Sequence, residues 1–117
     1  MPKDDLIIKD EVLPGGEIVV IRLEGQLDNY NYEPLNTIVQ KHFDATHYKL
    51  IFDLGRVVYI ASTSVGIFLA AIATAEENGG GIVIVNPTIK VKVVFESFGL
   101  MQMFKVSDTV QAAMSQF

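Results

Sequence analysis

Three adjacent hydroxyl residues, Ser62, Thr63 and Ser64, have the clearest chemical potential in this chain. This hydroxyl cluster lies between a predicted strand that ends near Asp53 and an apolar run, 65–75, that is typical of a helix. A hydroxyl at the start of a helix can cap it by accepting a hydrogen bond from a free backbone N–H. It can also carry a phosphate, because the helix dipole favours negative charge there. Residue type alone favours capping, since serine and threonine are ordinary N-cap residues.

Polar side chains also follow three of the predicted strands, at Asp28, Asp53 and Asn86. The carboxyl ends of parallel strands meet at one edge of a sheet, so we expect these residues to lie beside the hydroxyl cluster, where ligands bind in open α/β sheets. Asp28 is also explained as a turn residue or as the cap of the first helix, and Asp53 as the end of its strand. Binding of a nucleotide or another small ligand at this edge therefore stays open.

The sequence contains no arrangement of residues that is typical of an enzyme active site. His42 and His47 fall near the end of the first predicted helix, at the opposite edge of the sheet, and are expected to be solvated and unable to activate a hydroxyl. Asp28 and Asp53 are two oxygen donors without a third, below the ligand number of a hard cation. Cysteine is absent, and no glycine run has the lysine and spacing of a P-loop. We therefore expect no enzymatic activity, no metal and no cofactor.

Composition narrows the class of partner. Half of the 117 residues are hydrophobic, a fifth are charged and the net charge is −5, which favours one packed domain spanning residues 1–117. The nine basic residues are scattered, so no patch is expected to bind nucleic acid. The polar N-terminus is unlike a signal peptide, and hydroxyl residues and glycine interrupt the longest apolar stretch. A cytoplasmic protein that meets another protein or a small ligand is expected, without membrane insertion.

Apolar patterning predicts an α/β fold. Four strands are expected, at 6–9, 18–23, 49–54 and 82–85, with helices between the last three. The first two strands flank a Pro-Gly-Gly turn and are expected to form an antiparallel hairpin, whereas strands joined through helices are expected to be parallel. The predicted fold is therefore a small mixed β-sheet, mostly parallel, with an antiparallel N-terminal strand and helices packed on it.

Cap and stop signals mark the predicted helices. The helix after the hydroxyl cluster is apolar nearly all round, so it is either buried on several sides or exposes a patch that docks a partner. The others are marked by Pro34 in a first turn, by Val91, Val94, Phe95 and Phe98 on one face with Gly99 as the stop, and by Ser107 as the last cap.

The order of several short motifs is similar to one known family. These are Leu23-Glu-Gly-Gln-Leu-Asp28, Leu50-Ile-Phe-Asp-Leu54, Tyr59-Ile-Ala-Ser-Thr-Ser-Val-Gly66, the glycines before Ile82-Val-Ile-Val85, and Phe95-Glu-Ser-Phe-Gly-Leu100. Over nearly its whole length the chain resembles the STAS family, whose best-known soluble members are bacterial anti-sigma factor antagonists. The resemblance implies a small mixed sheet with packed helices. It also implies a partner, a serine kinase that doubles as an anti-sigma factor and releases the antagonist on phosphorylation.

The resemblance also implies a site. The family's acceptor segment, Asp-Ser-Ser/Thr-Gly-Leu-Gly, matches residues 61–66, which places the phosphoacceptor on Thr63, with Ser62 and Ser64 as alternatives. Ala61 stands where the family has its acidic residue, and Ser64 where it has its first glycine. Partner or nucleotide contacts are then expected at these positions: Asp28, Asp53, Ser62, Ser64, Val65 and Asn86. A STAS scaffold or transport-associated module without phosphorylation is the alternative, and the oligomeric state, a homodimer included, stays open.

Overall fold

The protein is described by a computed structural model that covers residues 6–117, and the polar first five residues lie outside this described part. Strands and helices alternate along it, as the patterning predicts. The elements are β1 (Leu6–Val12), β2 (Ile18–Leu27), α1 (Glu33–Asp44), β3 (Lys49–Ile60), a 3₁₀ turn (Ser62–Ser64), α2 (Val65–Glu77), β4 (Gly81–Val85), α3 (Ile89–Ser97), a second 3₁₀ turn (Leu100–Gln102), β5 (Lys105–Ser107) and α4 (Val110–Met114).

The strands form one mixed sheet in the order β1-β2-β3-β4-β5. β1 pairs antiparallel with β2, and each later neighbour pair is parallel. Gly15 and Gly16 close the β1–β2 hairpin with φ angles of 102° and 80°, in the left-handed region that glycine adopts without strain. This architecture confirms the predicted mixed sheet with its antiparallel N-terminal strand.

Helices cover the two faces of the sheet unequally. α1, α2 and α3 pack on one face around Phe68, whose ring centroid lies 5.1 Å from that of Phe52 and 5.3 Å from that of Phe95. On the other face, Ala113 of α4 completes a smaller apolar cluster. Because α4 has only five residues, it covers a small part of that face.

The carboxyl edge of the sheet is stepped. β3 continues to Ile60, so Asp53 lies in the middle of its strand. The prediction that Asp53 ends this strand is therefore wrong. β4 stops at Val85, which pairs with Asp53, whereas β2 and β3 continue until Leu27 pairs with Ile60. The sequence understates β3 because Gly55 breaks its apolar run, and shifts in register let the β2–β3 pairing continue past this glycine.

The C-terminal part contains a strand that the sequence did not predict. Ser107, predicted to cap the last helix, ends β5, and Thr109 caps α4 instead by accepting a hydrogen bond from Ala112 N at 3.1 Å. A three-residue strand is too short for a periodic pattern. Phe98, predicted on the buried face of α3, is 51% exposed because α3 has already ended, while Gly99 at φ 71° confirms the predicted stop.

The two histidines differ from their prediction. His42 is 5% exposed and not solvated, and its Nε2 lies 2.6 Å from Oδ2 of Asp10 on β1. Lys41 Nζ lies 3.0 Å from the same oxygen. The hydrogen bond from His42, with that from Lys41 second, holds the pKa of Asp10 below its usual value. His47 is half-buried, and its Nδ1 has no hydrogen-bond partner within the described residues. The contact between His42 and Asp10 therefore fastens α1 to β1.

Candidate modification and partner-binding site

The hydroxyl cluster forms the 3₁₀ turn that leads from β3 into α2. Ser64 N donates to Ala61 O at 2.9 Å, which closes the turn. Ser64 is the N-cap residue of α2, but its side chain makes no capping hydrogen bond; its Oγ donates to Asp28 O at 3.1 Å instead. The capping role that residue type favoured is therefore wrong for this cluster. The Ser64 hydroxyl ties the start of α2 to the loop after β2.

Exposure separates the three hydroxyls. Ser62 and Thr63 are exposed, whereas Ser64 is only 1% exposed and already bonded. The Thr63 hydroxyl points to the loop after β2 and donates to Asn29 Oδ1. A modifying enzyme could reach Thr63 or Ser62 on the folded protein, while the Ser64 hydroxyl is closed off at the buried side of the turn.

The loop at 28–31 is fixed by its own side chains. Asp28 Oδ1 accepts hydrogen bonds from the N–H groups of Tyr30 at 2.8 Å and Asn31 at 3.0 Å, which is an Asx turn. Asn31 returns the bond by accepting from Asp28 N at 2.8 Å and donating to Gln26 O at 2.8 Å. Asp28 is thus a turn residue and not the cap of α1, whose N-cap position is Tyr32. The turn presents Tyr30 at 92% exposure.

α2 is buried on one side and exposes apolar residues on the other. Its inner face is buried against the sheet through Phe68, Ala71, Ile72 and Ala75. Its outer face exposes small apolar residues at helical spacing: Gly66, Leu69, Ala70 and Ala73. This α2 stripe continues the line of Thr63, one turn earlier. Val65 is 1% exposed, so the predicted partner contact at Val65 is wrong: its side chain belongs to the core.

The predicted convergence of polar residues on one edge is only partly present. Asp28 meets the hydroxyl cluster, but Asp53 and Asn86 lie together elsewhere, beside Gly55. Asp53 stands seven residues before Ile60, roughly 23 Å along an extended strand. Asp53 and Asn86 are therefore not part of the Thr63 site, because the sheet edge is stepped.

Asp53 and Asn86 instead line a charged cleft of about 530 Å³ on the strands, remote from Thr63. Asp53 Oδ1 accepts from Gly55 N at 3.1 Å, and Asp53 Oδ2 lies 3.9 Å from Arg22 Nε. Arg22 is itself paired with Glu11 at 2.6 Å. The lining also contains Lys9, Arg56 and Glu24, so cations and acids alternate in this cleft.

Two residues of the site were missed from the sequence. Asn29 contacts the Thr63 hydroxyl, and Tyr30, the next residue in the same turn, is 92% exposed. Both lie in a turn, where no periodic pattern identifies them. The turn signal Asp28-Asn29 was the only indication, and it pointed to loop geometry, not to contact with residue 63.

Two kinds of feature are absent from residues 6–117. No group of three or more His, Cys, Asp and Glu side chains there could hold a metal ion. In the same part of the chain, no helix is both long and apolar enough to span a bilayer.

The fold and the site together define an α/β domain with an exposed hydroxyl-bearing turn at the start of an apolar helix. Comparison with known proteins agrees. The chain belongs to the STAS domain family, whose sequence profile matches residues 11–113.

Particular relatives narrow the comparison. An anti-sigma F factor antagonist of Lysinibacillus sphaericus is 31% identical over 85 residues, which cover 72% of this chain and 73% of that protein. The anti-sigma factor antagonist SpoIIAA in its unphosphorylated form superposes with a TM-score of 0.81 at 27% identity, covering 94% of this chain and 95% of that one. The Bacillus cell fate determinant SpoIIAA in its phosphorylated form gives a TM-score of 0.74 at 25% identity, over 94% and 98%. The chain is thus similar to proteins named as anti-sigma factor antagonists.

Proposed function

We propose that this protein is a cytoplasmic anti-sigma factor antagonist that binds a serine-kinase anti-sigma factor and is released when Thr63 is phosphorylated. One observation carries the proposal: Thr63 is exposed at the head of the apolar α2 stripe, at the position that matches the family's acceptor. The names of the relatives support it, since one of them is described in both phosphorylated and unphosphorylated forms. We propose a regulatory binding role and no catalysis.

The unmodified surface suits a protein partner. Leu69 and the small residues of the α2 stripe allow another backbone or side chain to approach closely, and the 28–31 loop that contacts Thr63 presents Tyr30 at 92% exposure. Tyrosine is enriched among the residues that dominate binding energy, because it buries a large area with few rotatable bonds. We define the docking surface as Tyr30, Thr63 and the α2 stripe.

A phosphate on Thr63 would oppose that contact. It adds about −1.5 to −2 charge at one end of the docking surface. The start of α2 can tolerate the charge, so the fold is expected to survive. A partner would have to strip water from the phosphate or meet it with like charge, and both raise the free energy of the complex.

The test is phosphorylation of the purified protein by a serine-kinase anti-sigma factor from the same cells, with ATP and mass spectrometry. We expect one phosphate on Thr63, none in Thr63→Ala, and unchanged labelling in Ser64→Ala, whose hydroxyl is buried. If none of residues 62–64 is phosphorylated, the proposed switch is refuted.

Thr63→Asp separates the switch from constitutive binding. We expect its affinity for the partner to fall at least about tenfold, equivalent to 1.4 kcal/mol, while Thr63→Val binds like the parent. Equal affinity for Thr63→Asp would favour a STAS scaffold that uses the docking surface without regulation.

A further inference from the structure

Asn29 is the side chain that meets the Thr63 hydroxyl, by accepting its hydrogen bond through Oδ1. Both residues are exposed, so a phosphate on Thr63 would lie in solvent next to the Asn29 amide. An asparagine amide ends in two different groups, a carbonyl that accepts and an NH₂ that donates. Rotation about a single bond exchanges them.

Phosphorylation would remove the donor from this contact. Transfer of a phosphoryl group from ATP forms the Oγ1–P bond, breaks the bond between the γ-phosphorus and ADP, and releases the hydroxyl proton to a base. The phosphoryl oxygens at Thr63 are strong hydrogen-bond acceptors with negative charge. Asn29 Oδ1 would then face acceptors alone, which is repulsive.

We propose that Asn29 senses the state of Thr63: its amide accepts from the hydroxyl and, after phosphorylation, rotates to donate from Nδ2 to a phosphoryl oxygen. This inference rests on the proposed modification of Thr63 and adds the residue that holds the phosphate. The terminal amide torsion is broad and roughly two-fold, so rotation is accessible. The new bond is charge-assisted and roughly twice as strong as a neutral one.

The backbone of Asn29 is held independently of its side chain. Asp28 Oδ1 accepts from Tyr30 N and Asn31 N, and Ser64 Oγ donates to Asp28 O. Loop 28–31 therefore stays in place while the amide rotates. The phosphate is then anchored beside Tyr30, within the docking surface, instead of moving freely in solvent.

The test needs no kinase. Phosphothreonine is incorporated at position 63 of the full chain during synthesis, with ¹⁵N-labelled asparagine, and ³¹P NMR follows the second pKa of the phosphate. The parent is compared with Asn29→Ala and with Asn36→Ala, a control at an exposed asparagine of α1. That pKa is ordinarily about 6.

We expect the phosphate pKa in the parent and in Asn36→Ala to be lower than in Asn29→Ala by about half a pH unit or more, because the amide hydrogen bond favours the dianion. The Nδ2 proton resonances of Asn29 are expected to move downfield on phosphorylation. Asn29→Asp, which keeps the side-chain shape, is expected to raise the pKa above that of Asn29→Ala through like charge.

Equal phosphate pKa values in the parent and Asn29→Ala would overturn the proposal. The proposal would also be overturned if the Nδ2 proton resonances of Asn29 did not move on phosphorylation. It would likewise be overturned if the phosphate pKa rose as much in Asn36→Ala as in Asn29→Ala. Failure to find a kinase that modifies Thr63 would refute the proposed function and leave this NMR result standing. The two failures are therefore distinguishable.

Discussion

The contact between Asp10 and His42 yields the most quantitative prediction about stability. His42 Nε2 lies 2.6 Å from Asp10 Oδ2, and His42 is 5% exposed, so the hydrogen bond is shielded from water. Lys41 Nζ lies 3.0 Å from the same oxygen, but its side chain is 62% exposed. The perturbation is Asp10→Ala, which leaves a buried imidazole without its acceptor.

The magnitude follows from the exposure of each partner. A hydrogen bond to a charged group contributes about 1.5–3 kcal/mol. An exposed ion pair such as that with Lys41 adds only about 0–1 kcal/mol. We therefore expect Asp10→Ala to lower the free energy of unfolding by about 2–3 kcal/mol at pH 7, most of it from the loss of the His42 contact.

The effect has a defined pH dependence. His42 first, and Lys41 second, hold the pKa of Asp10 below its ordinary value in the folded protein. The unfolded chain therefore takes up the proton at higher pH than the folded chain. The contribution of Asp10 is fully present above the unfolded pKa, about 4, and is lost as the pH falls through the folded pKa. The difference between parent and variant is expected to shrink below about pH 4.

Urea denaturation followed by circular dichroism measures this difference at pH 7 and at pH 3. Glu96→Ala, at an exposed position of α3, is the control and is expected to change stability by less than about 0.5 kcal/mol. A destabilisation of Asp10→Ala no larger than that of the control at pH 7, or one that grows on acidification, would refute the reasoning.

Two further predictions concern partner binding and packing. Ala70→Glu places a charge in the α2 stripe and is expected to weaken partner binding at least about tenfold without loss of stability. The control, Thr37→Glu at an exposed position of α1, is expected to change neither. Calorimetry measures the affinity and thermal melting the stability, and equal affinities of the two variants would contradict the docking surface. Gly80→Ala would bring a Cβ within 1.9 Å of Tyr48 O, so we expect a loss of about 3 kcal/mol or more in chemical denaturation. The neighbouring Gly81→Ala meets nothing within 4 Å and is expected to be tolerated, so equal stability of the two variants would contradict the close approach.

The fold was largely predictable because its signals are local. The buried strands 18–23, 49–54 and 82–85 carry short apolar or β-branched runs, and alternation with helices implies parallel pairing. The errors lie where tertiary contacts override local pattern. β3 continues past Gly55 because β2 pairs with it there. β5 has only three residues, and it forms because they pair with the edge of β4.

The choice of Thr63 as the acceptor stays a prediction, whereas the structure changes which residues lie around it. The order of motifs led to Thr63, and its exposure agrees with that choice. Ser64 and Val65 were expected as contacts, but both are buried where the 3₁₀ turn leads into α2. Asp53 and Asn86 lie apart from Thr63 because β3 continues well past the end of β4. Apolar pattern estimates the length of a strand poorly, so the sequence did not predict this separation.

The sequence by itself determined the family, the mixed sheet and the run of three hydroxyls at the entrance to an apolar helix. These depend on residue type and short spacing, which the chain carries locally. Only the tertiary structure decided what each hydroxyl does: Ser64 is buried against Asp28 O, while Thr63 is exposed and meets Asn29. The physical reason is that these contacts join residues 34 and 36 positions apart, brought together by the parallel pairing of β2 with β3.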